Sequence, residues 1–456
     1  MLTSDQNRKI NEIVEEFKEA ADFYRMEYSE DLMGMFRDFG CMLLLKCKVD
    51  TEGKADLERL LEGRHKLKGT VKRQLMTVSE ELAQLWAPGE QDGSGDTGEY
   101  EGSQNVREMF QTALEEIFHF CLYSKGGKNR YLLPEETAKP LLRLLTFPEG
   151  MMAGNEGLVV LDTQCGAGSA LMAASRYLKN LRLMGYEKDE EMWAAAVIMS
   201  QLSGLEMELH LEDGARADLY ESCDLVISNP VYGTDTIKDE ELIDQLPGEL
   251  KTVRGRYHME LIRSMQALNF DGKAMLIVPN SFLFANRTES MKVRKWLLQS
   301  YSLEAIISLP EDTFMYSGVR SGVMVFSKPF MSGGWEGHTQ RVLYYNLEKQ
   351  QKEYERLEEV WSQRDSYYGK WERSRREKTV ENRNGIKVPA NWQYNSFWFA
   401  DVDQIEAGKW NLLPENYRPE EQINLEIEDP ALLLQEMLKE QEEITKELNE
   451  LLKEVM

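Results

Sequence analysis

Four consecutive residues, Asn229-Pro230-Val231-Tyr232, carry the most specific chemistry in this 456-residue chain. They end the run Asp224-Leu225-Val226-Ile227-Ser228, whose short, apolar, β-branched character predicts a buried parallel strand. Proline lacks an N–H and fixes φ, so its carbonyl can point outward into a crevice at the strand's carboxyl end. Asn229 adds a side-chain carbonyl and Tyr232 a flat π face. Two hydrogen-bond acceptors beside a stacking plane suit a planar ring bearing an exocyclic amine, and adenine is such a ring. A strand-end proline turn with no ligand would use the same residues.

A second constellation lies upstream. Leu158-Val159-Val160-Leu161 reads as a strand, followed by Asp162-Thr163-Gln164-Cys165-Gly166-Ala167-Gly168-Ser169, a helix from about Ala170, and a strand over Leu181–Glu187. Gly166 and Gly168 let the backbone approach a ligand with no Cβ in the way. The helix N-terminus beyond them favours a carboxylate or phosphate. The full dinucleotide fingerprint is absent, since Leu171 stands where its third glycine belongs. Glu187, ending the second strand, is placed to accept hydrogen bonds from ribose hydroxyls. His65, His119 and His258 read as ordinary packed or surface histidines, and no metal site is expected.

Taken together, these motifs resemble those of S-adenosylmethionine-dependent N6-adenine DNA methyltransferases, and within them the modification subunit of type I restriction–modification systems. Asp162, Cys165, Gly166 and Gly168 match the family's first motif, Asp-Pro-Ala-Cys-Gly-Ser-Gly, while Thr163, Gln164 and Ala167 depart from it. Tyr131-Leu132-Leu133-Pro134 stands for the tyrosine-threonine-proline motif, with Leu133 where threonine is usual. Leu211-Glu212-Asp213-Gly214 fits the third-strand position whose acid lies near the cofactor's adenine. Phe270–Asn280, Leu303–Pro310 and Gly322–Phe326 resemble the fifth, sixth and seventh strands, so the likeness runs from Tyr131 to Phe326. The resemblance implies an α/β, Rossmann-like fold and S-adenosyl-L-methionine as cofactor. It places Tyr131, Pro134, Asp162, Cys165, Gly166, Gly168, Glu187, Asp213 and Asn229 around that cofactor. Asn229, Pro230 and Tyr232 become the catalytic set, acting on double-stranded DNA with a flipped adenine. Two alternatives stay open: a protein-glutamine N5-methyltransferase, which shares the tetrapeptide, and a non-catalytic scaffold of the same fold.

The elements that must position these residues divide the chain into an N-terminal helical domain (1–123), a catalytic domain (124–330), an α/β extension (331–428) and a C-terminal helical tail (429–456). Ile10, Ile13, Val14, Phe17 and Ala21 keep helical spacing, Leu32 to Leu45 is apolar enough for a core helix, and residues 87–96 read as a loop. A strand is expected over Arg341–Asn346 and one long charged helix over about 347–378. The tail carries Leu434, Met437, Ile444, Leu448, Leu451 and Val455 at steps of three and four, broken by Gln441, which is a heptad-like seam. The resemblance implies that this seam docks on a separate specificity subunit, and it leaves open whether a restriction subunit joins.

The composition, 42% hydrophobic and 29% charged, is that of a water-soluble globular chain. Its five scattered cysteines fit a reducing, cytoplasmic setting, and neither a signal peptide nor a membrane span is expected. A formal net charge of −25 sets the chain against a polyanion unless basic residues cluster or a partner supplies positive surface. The candidate clusters for phosphate contact are Arg373, Arg375, Arg376 and Lys378, and Arg287, Lys292, Arg294 and Lys295.

Overall fold

In the computed structural model, residues 2–28, 31–49, 55–62, 67, 69–86, 97–124, 132–145, 147, 157–233, 235–314, 319–329, 339–348 and 351–419 are described. Tyr131, His65, the 87–96 loop and the heptad-like tail lie outside them. Strands that are mostly apolar and buried at the centre, and half-exposed in β2 and β3, build the sheet: β1 (Leu158–Asp162), β2 (Leu181–Tyr186), β3 (Met207–His210), β4 (Cys223–Ser228), β5 (Leu268–Pro279), β6 (Ser302–Ser308), β7 (Ser321–Ser327) and β8 (Arg341–Asn346). A small hairpin, β9 (Thr379–Glu381) with β10 (Lys387–Pro389), precedes β11 (Phe397–Asp401). Among the described residues, nine of these strands form one sheet in the order β11-β8-β6-β7-β5-β4-β1-β2-β3.

From β3 to β5 every neighbour is parallel, and β7 runs antiparallel between β5 and β6. This is the expected Rossmann-like arrangement. The strand order reverses where β4 lies beside β1, with Val160 opposite Leu225 and Leu161 opposite Val226. Such a switch point opens a crevice at the carboxyl ends of the strands. It also brings the turn after Asp162 next to the segment after Ser228, although the two are far apart in sequence.

The helices Ser169–Tyr177, Glu190–Ser203, Arg256–Gln266 and Thr288–Ser300 pack on this sheet. The N-terminal helices Ser4–Glu27, Leu32–Lys46, Gly69–Ala83 and Thr97–Tyr123 pack on one another. Leu32–Lys46 is buried nearly all round, because its other side lies on Glu190–Ser203. Gly40 lets the two helices meet, since a Cβ there would stand 2.4 Å from Ile198 Cδ1. Buried Arg37 bonds across the same contact to Glu191 at 2.8 Å and to Glu190 at 3.4 Å.

Two expectations need correction. The charged stretch after β8 is two helices, Gln351–Ser362 and Arg364–Glu377, separated at Gln363, whose φ of −106° and ψ of 16° leave the helical region. Arg294 is not available to phosphate. It is fully buried, and its guanidinium donates to the carbonyls of Trp410 (2.6 Å), Phe282 (2.6 Å) and Ala285 (3.0 Å). Burial pulls its pKa down to about 10. Among the described residues, no helix is long and apolar enough to cross a membrane.

Candidate functional site

A cavity of about 790 Å³ opens where β1, β2, β3 and β4 end. Asp162, Cys165, Gly166, Glu187, Asp213, Asn229 and Tyr232 all line it. Pro230 is buried and does not line it, nor does Pro134, whereas Leu132 and Leu133 do. Gly168, in a left-handed conformation (φ 77°), caps the helix Ser169–Tyr177. A Cβ on Gly168 would meet Met207 Cε at 3.2 Å and Ala196 Cβ at 3.5 Å, so its small size serves packing away from the cavity wall.

The glycine turn is strapped in place by Glu187. Its two carboxylate oxygens accept the Gly166 N–H at 3.0 Å and the Asp189 N–H at 2.7 Å, joining the turns that follow β1 and β2. Burial pushes its pKa up. Each oxygen has a second lone pair that can accept a ligand hydroxyl. Asp162 accepts the Gln164 N–H at 3.0 Å and is almost wholly removed from water. That burial, with nearby Glu187 adding to it, raises its pKa to about 7. The residues that depart from the family motif are integrated here. Thr163 Oγ1 lies 2.5 Å from Ser264 Oγ, and Gln164 Nε2 donates to Thr163 Oγ1 at 3.1 Å.

On the opposite wall, Tyr232 is half-buried, with its hydroxyl 3.4 Å from Ser321 Oγ. Tyr257 meets its ring edge-on, the centroids 5.8 Å apart and the planes at 77°. Asp213 accepts from Arg256 Nη2 at 2.7 Å.

Several lining residues had no role assigned from the sequence, Gly214 appearing there only within the third-strand motif. Gly214 fits only as glycine, because a Cβ would lie 2.3 Å from the Thr163 carbonyl oxygen; its position directly after Asp213 was the available signal. Arg256, Tyr257 and Glu260 come from a later helix, and Asp31, Leu122 and Ser124 come from the N-terminal helices. No local pattern marks those six. His258 bonds to Ser290 at 2.8 Å and lies outside the cavity lining.

The family model for N-6 DNA methylase matches residues 107–425, a stretch that holds the whole sheet and most of the cavity. The chain belongs to the N-6 DNA methylase family. Within that family's range it is similar to the type I restriction enzyme MjaVII methylase subunit of Methanocaldococcus jannaschii, 24% identical over 298 residues, covering 60% of this chain and 47% of that protein. It is also similar to the type II restriction enzyme and methyltransferase RM.BcgI of Heyndrickxia coagulans, 26% identical over 213 residues, covering 42% of this chain and 31% of that protein. The chain thus spans less than half the length of these two curated relatives. Among solved structures, the type I restriction-modification system methyltransferase subunit from Streptococcus thermophilus shares the fold, with a TM-score of 0.56 at 14% identity. That likeness covers 90% of this chain and 99% of the other.

Proposed function

We propose that this N-6 DNA methylase family member transfers a methyl group from S-adenosylmethionine to the exocyclic N6 of adenine in DNA, as the modification subunit of a type I-like system. The observation that carries this reading is that Asn229 and Tyr232 share one cavity with the glycine turn, Glu187 and Asp213.

The donor set of the cavity fits the cofactor. Carboxylates from Asp31, Asp162, Glu187, Asp189, Asp213 and Glu260 outnumber the cations of Lys188 and Arg256 on its wall. S-adenosylmethionine bears a sulfonium and an ammonium against one carboxylate, so this field favours it and disfavours a phosphate-bearing nucleotide. Glu187 is suited to the ribose hydroxyls, Asp213 to the adenine amine, and Asp162 with the turn at Cys165–Gly166 to the amino-acid end. When bound, the cofactor supplies an activated methyl on a positive sulfur.

The protein's own task is orientation. An adenine amine is a poor nucleophile because its lone pair is delocalised into the ring. In this proposal the side-chain oxygen of Asn229, which lines the cavity, and the backbone carbonyl of Pro230, the buried residue next to it, accept its two N–H bonds, drawing the nitrogen toward tetrahedral geometry and freeing that pair. Tyr232 offers the face on which an extruded base stacks. The N–CH3 bond would form as the S–CH3 bond breaks, leaving S-adenosylhomocysteine, and the cationic nitrogen so formed is acidic enough to lose its extra proton to water, so no general base of shifted pKa is required.

Asn229→Ala tests the mechanism. In the assembled system, DNA methylation is expected to fall by about a thousandfold or more, as for the loss of an interaction made chiefly in the transition state. S-adenosylmethionine binding by calorimetry should survive. Undiminished methylation by this variant refutes the mechanism. A specificity partner, which the acidic charge favours, belongs to the same proposal, as does a cytoplasmic location.

A further inference from the structure

The helix Arg256–Gln266 begins at a junction that the proposed chemistry has not used. Arg256 Nη2 donates to Asp213 Oδ1 at 2.7 Å, and its Nε donates to Glu260 Oε1 at 2.6 Å. All three side chains line the cavity, with Glu260 5% exposed, Asp213 17% and Arg256 20%. Two carboxylates facing one cavity repel unless a cation stands between them, and this guanidinium does so as a rigid fork.

The backbone holds the fork in place. The Arg256 N–H donates to the Asp235 carbonyl at 2.8 Å, tying the helix start to the segment that follows Tyr232. Glu289 accepts the N–H groups of Arg254 (2.9 Å) and Gly255 (3.1 Å), fixing the turn just before it. Asp213 Oδ1 is thereby taken up by Arg256, with the Ala215 N–H at 3.2 Å. Its Oδ2 has a much weaker contact, Arg216 Nε at 3.7 Å.

We propose that Arg256 is a positioning residue that fixes the Asp213 carboxylate so that Oδ2 accepts from the 6-amino group of the bound cofactor, making the cavity selective for adenosine over its 6-oxo analogue. This rests on reading the cavity as the cofactor site. An anionic carboxylate only accepts hydrogen bonds, so a 6-oxo group would set two acceptors against each other. Losing the fork frees the carboxylate to rotate and leaves it opposed to Glu260, which removes the discrimination.

The test is calorimetric binding of S-adenosylhomocysteine and S-inosylhomocysteine to the full chain, compared with Arg256→Gln, Arg256→Lys and the Arg256→Gln/Asp213→Asn pair. The unaltered chain is expected to prefer the adenosyl ligand by about tenfold to a hundredfold. Arg256→Gln should reduce that preference to about threefold or less, and Asp213→Asn added to it should change little further, since both changes remove one interaction. Arg256→Lys keeps the charge and should restore part of the preference; it carries the test by itself if the glutamine variant does not fold. Full preference retained without Arg256 overturns this inference and leaves the methyltransferase reading standing. Failure of the unaltered chain to bind either ligand overturns both.

Discussion

Asp162 sits at the end of β1 with its carboxyl buried, accepting the Gln164 N–H. Its pKa, raised from 3.8 to about 7, has a definite consequence for stability. Between those values the unfolded chain has released a proton that the folded chain keeps, so stability without ligand falls as pH rises through that window. Above pH 7 the destabilisation is complete, on the order of 2–4 kcal/mol. Asp162→Asn retains an acceptor for the Gln164 N–H and removes the charge. It should raise the melting temperature of the ligand-free chain at pH 8, with the gain shrinking towards pH 4. Equal melting temperatures at pH 8 would show that the buried charge costs nothing. At this scale the sequence was most legible where chemistry is local: Asn229, Tyr232, Gly166 and Glu187 stand in short motifs, and all four line the cavity. Arg256 and Asp31 reach the same cavity only through tertiary packing, and no spacing along the chain announces that.

Elements were legible when one physical signal decided them. The strands are short apolar runs, and β8 was read at its observed bounds, Arg341–Asn346. The break at Gln363 was not legible, because neither glycine nor proline marks it. Arg294 was misread for a related reason: a cation within a charged helical stretch reads as solvated, and only the fold supplies the three carbonyls that hold it inside. The contact between Leu32–Lys46 and Glu190–Ser203 was equally hidden, although it brings the N-terminal helices to the cavity, which Asp31 lines. Gly40 lies in that contact. A Cβ there would lie 2.4, 2.8 and 2.9 Å from three atoms of the Ile198 side chain, so moving the chain's tip alone cannot relieve the clash. Gly40→Ala would gain up to about 1 kcal/mol of helix propensity, yet overpacking should outweigh it and leave a net loss of about 1–3 kcal/mol. In a denaturation cycle with Ile198→Ala, which opens the space, the double variant should be more stable than the sum of the two losses by about 1 kcal/mol or more. Strict additivity would mean that the two residues do not crowd each other.

For the whole molecule the governing quantity is charge. A chain at −25 approaching DNA loses the counterion-release term that drives most protein–DNA association, and burying Arg294 removes one cation from the patch that was the candidate to offset it. Under the proposed function, the acidic cavity would admit a cation-bearing cofactor and an uncharged base, and the DNA phosphates would have to be held by something else. A basic, sequence-reading partner would satisfy that requirement, and we propose that the sequence seam through Leu434, Met437, Ile444, Leu448, Leu451 and Val455, which lies outside the described residues, binds it. Replacing both Leu448 and Leu451 with glutamate puts two charges into that seam and leaves every described cavity residue unchanged. Affinity for S-adenosylmethionine should stay within about twofold, because no cavity residue changes. Co-purification of the partner should be lost, and with it adenine methylation of the host DNA. The chain by itself should bind duplex DNA no more tightly than about 10⁻⁴ M at physiological salt, the weak end of non-specific association. Normal methylation by the doubly charged variant would place the docking surface elsewhere, and tight, salt-sensitive DNA binding by the isolated chain would remove the need for a partner to supply the positive surface.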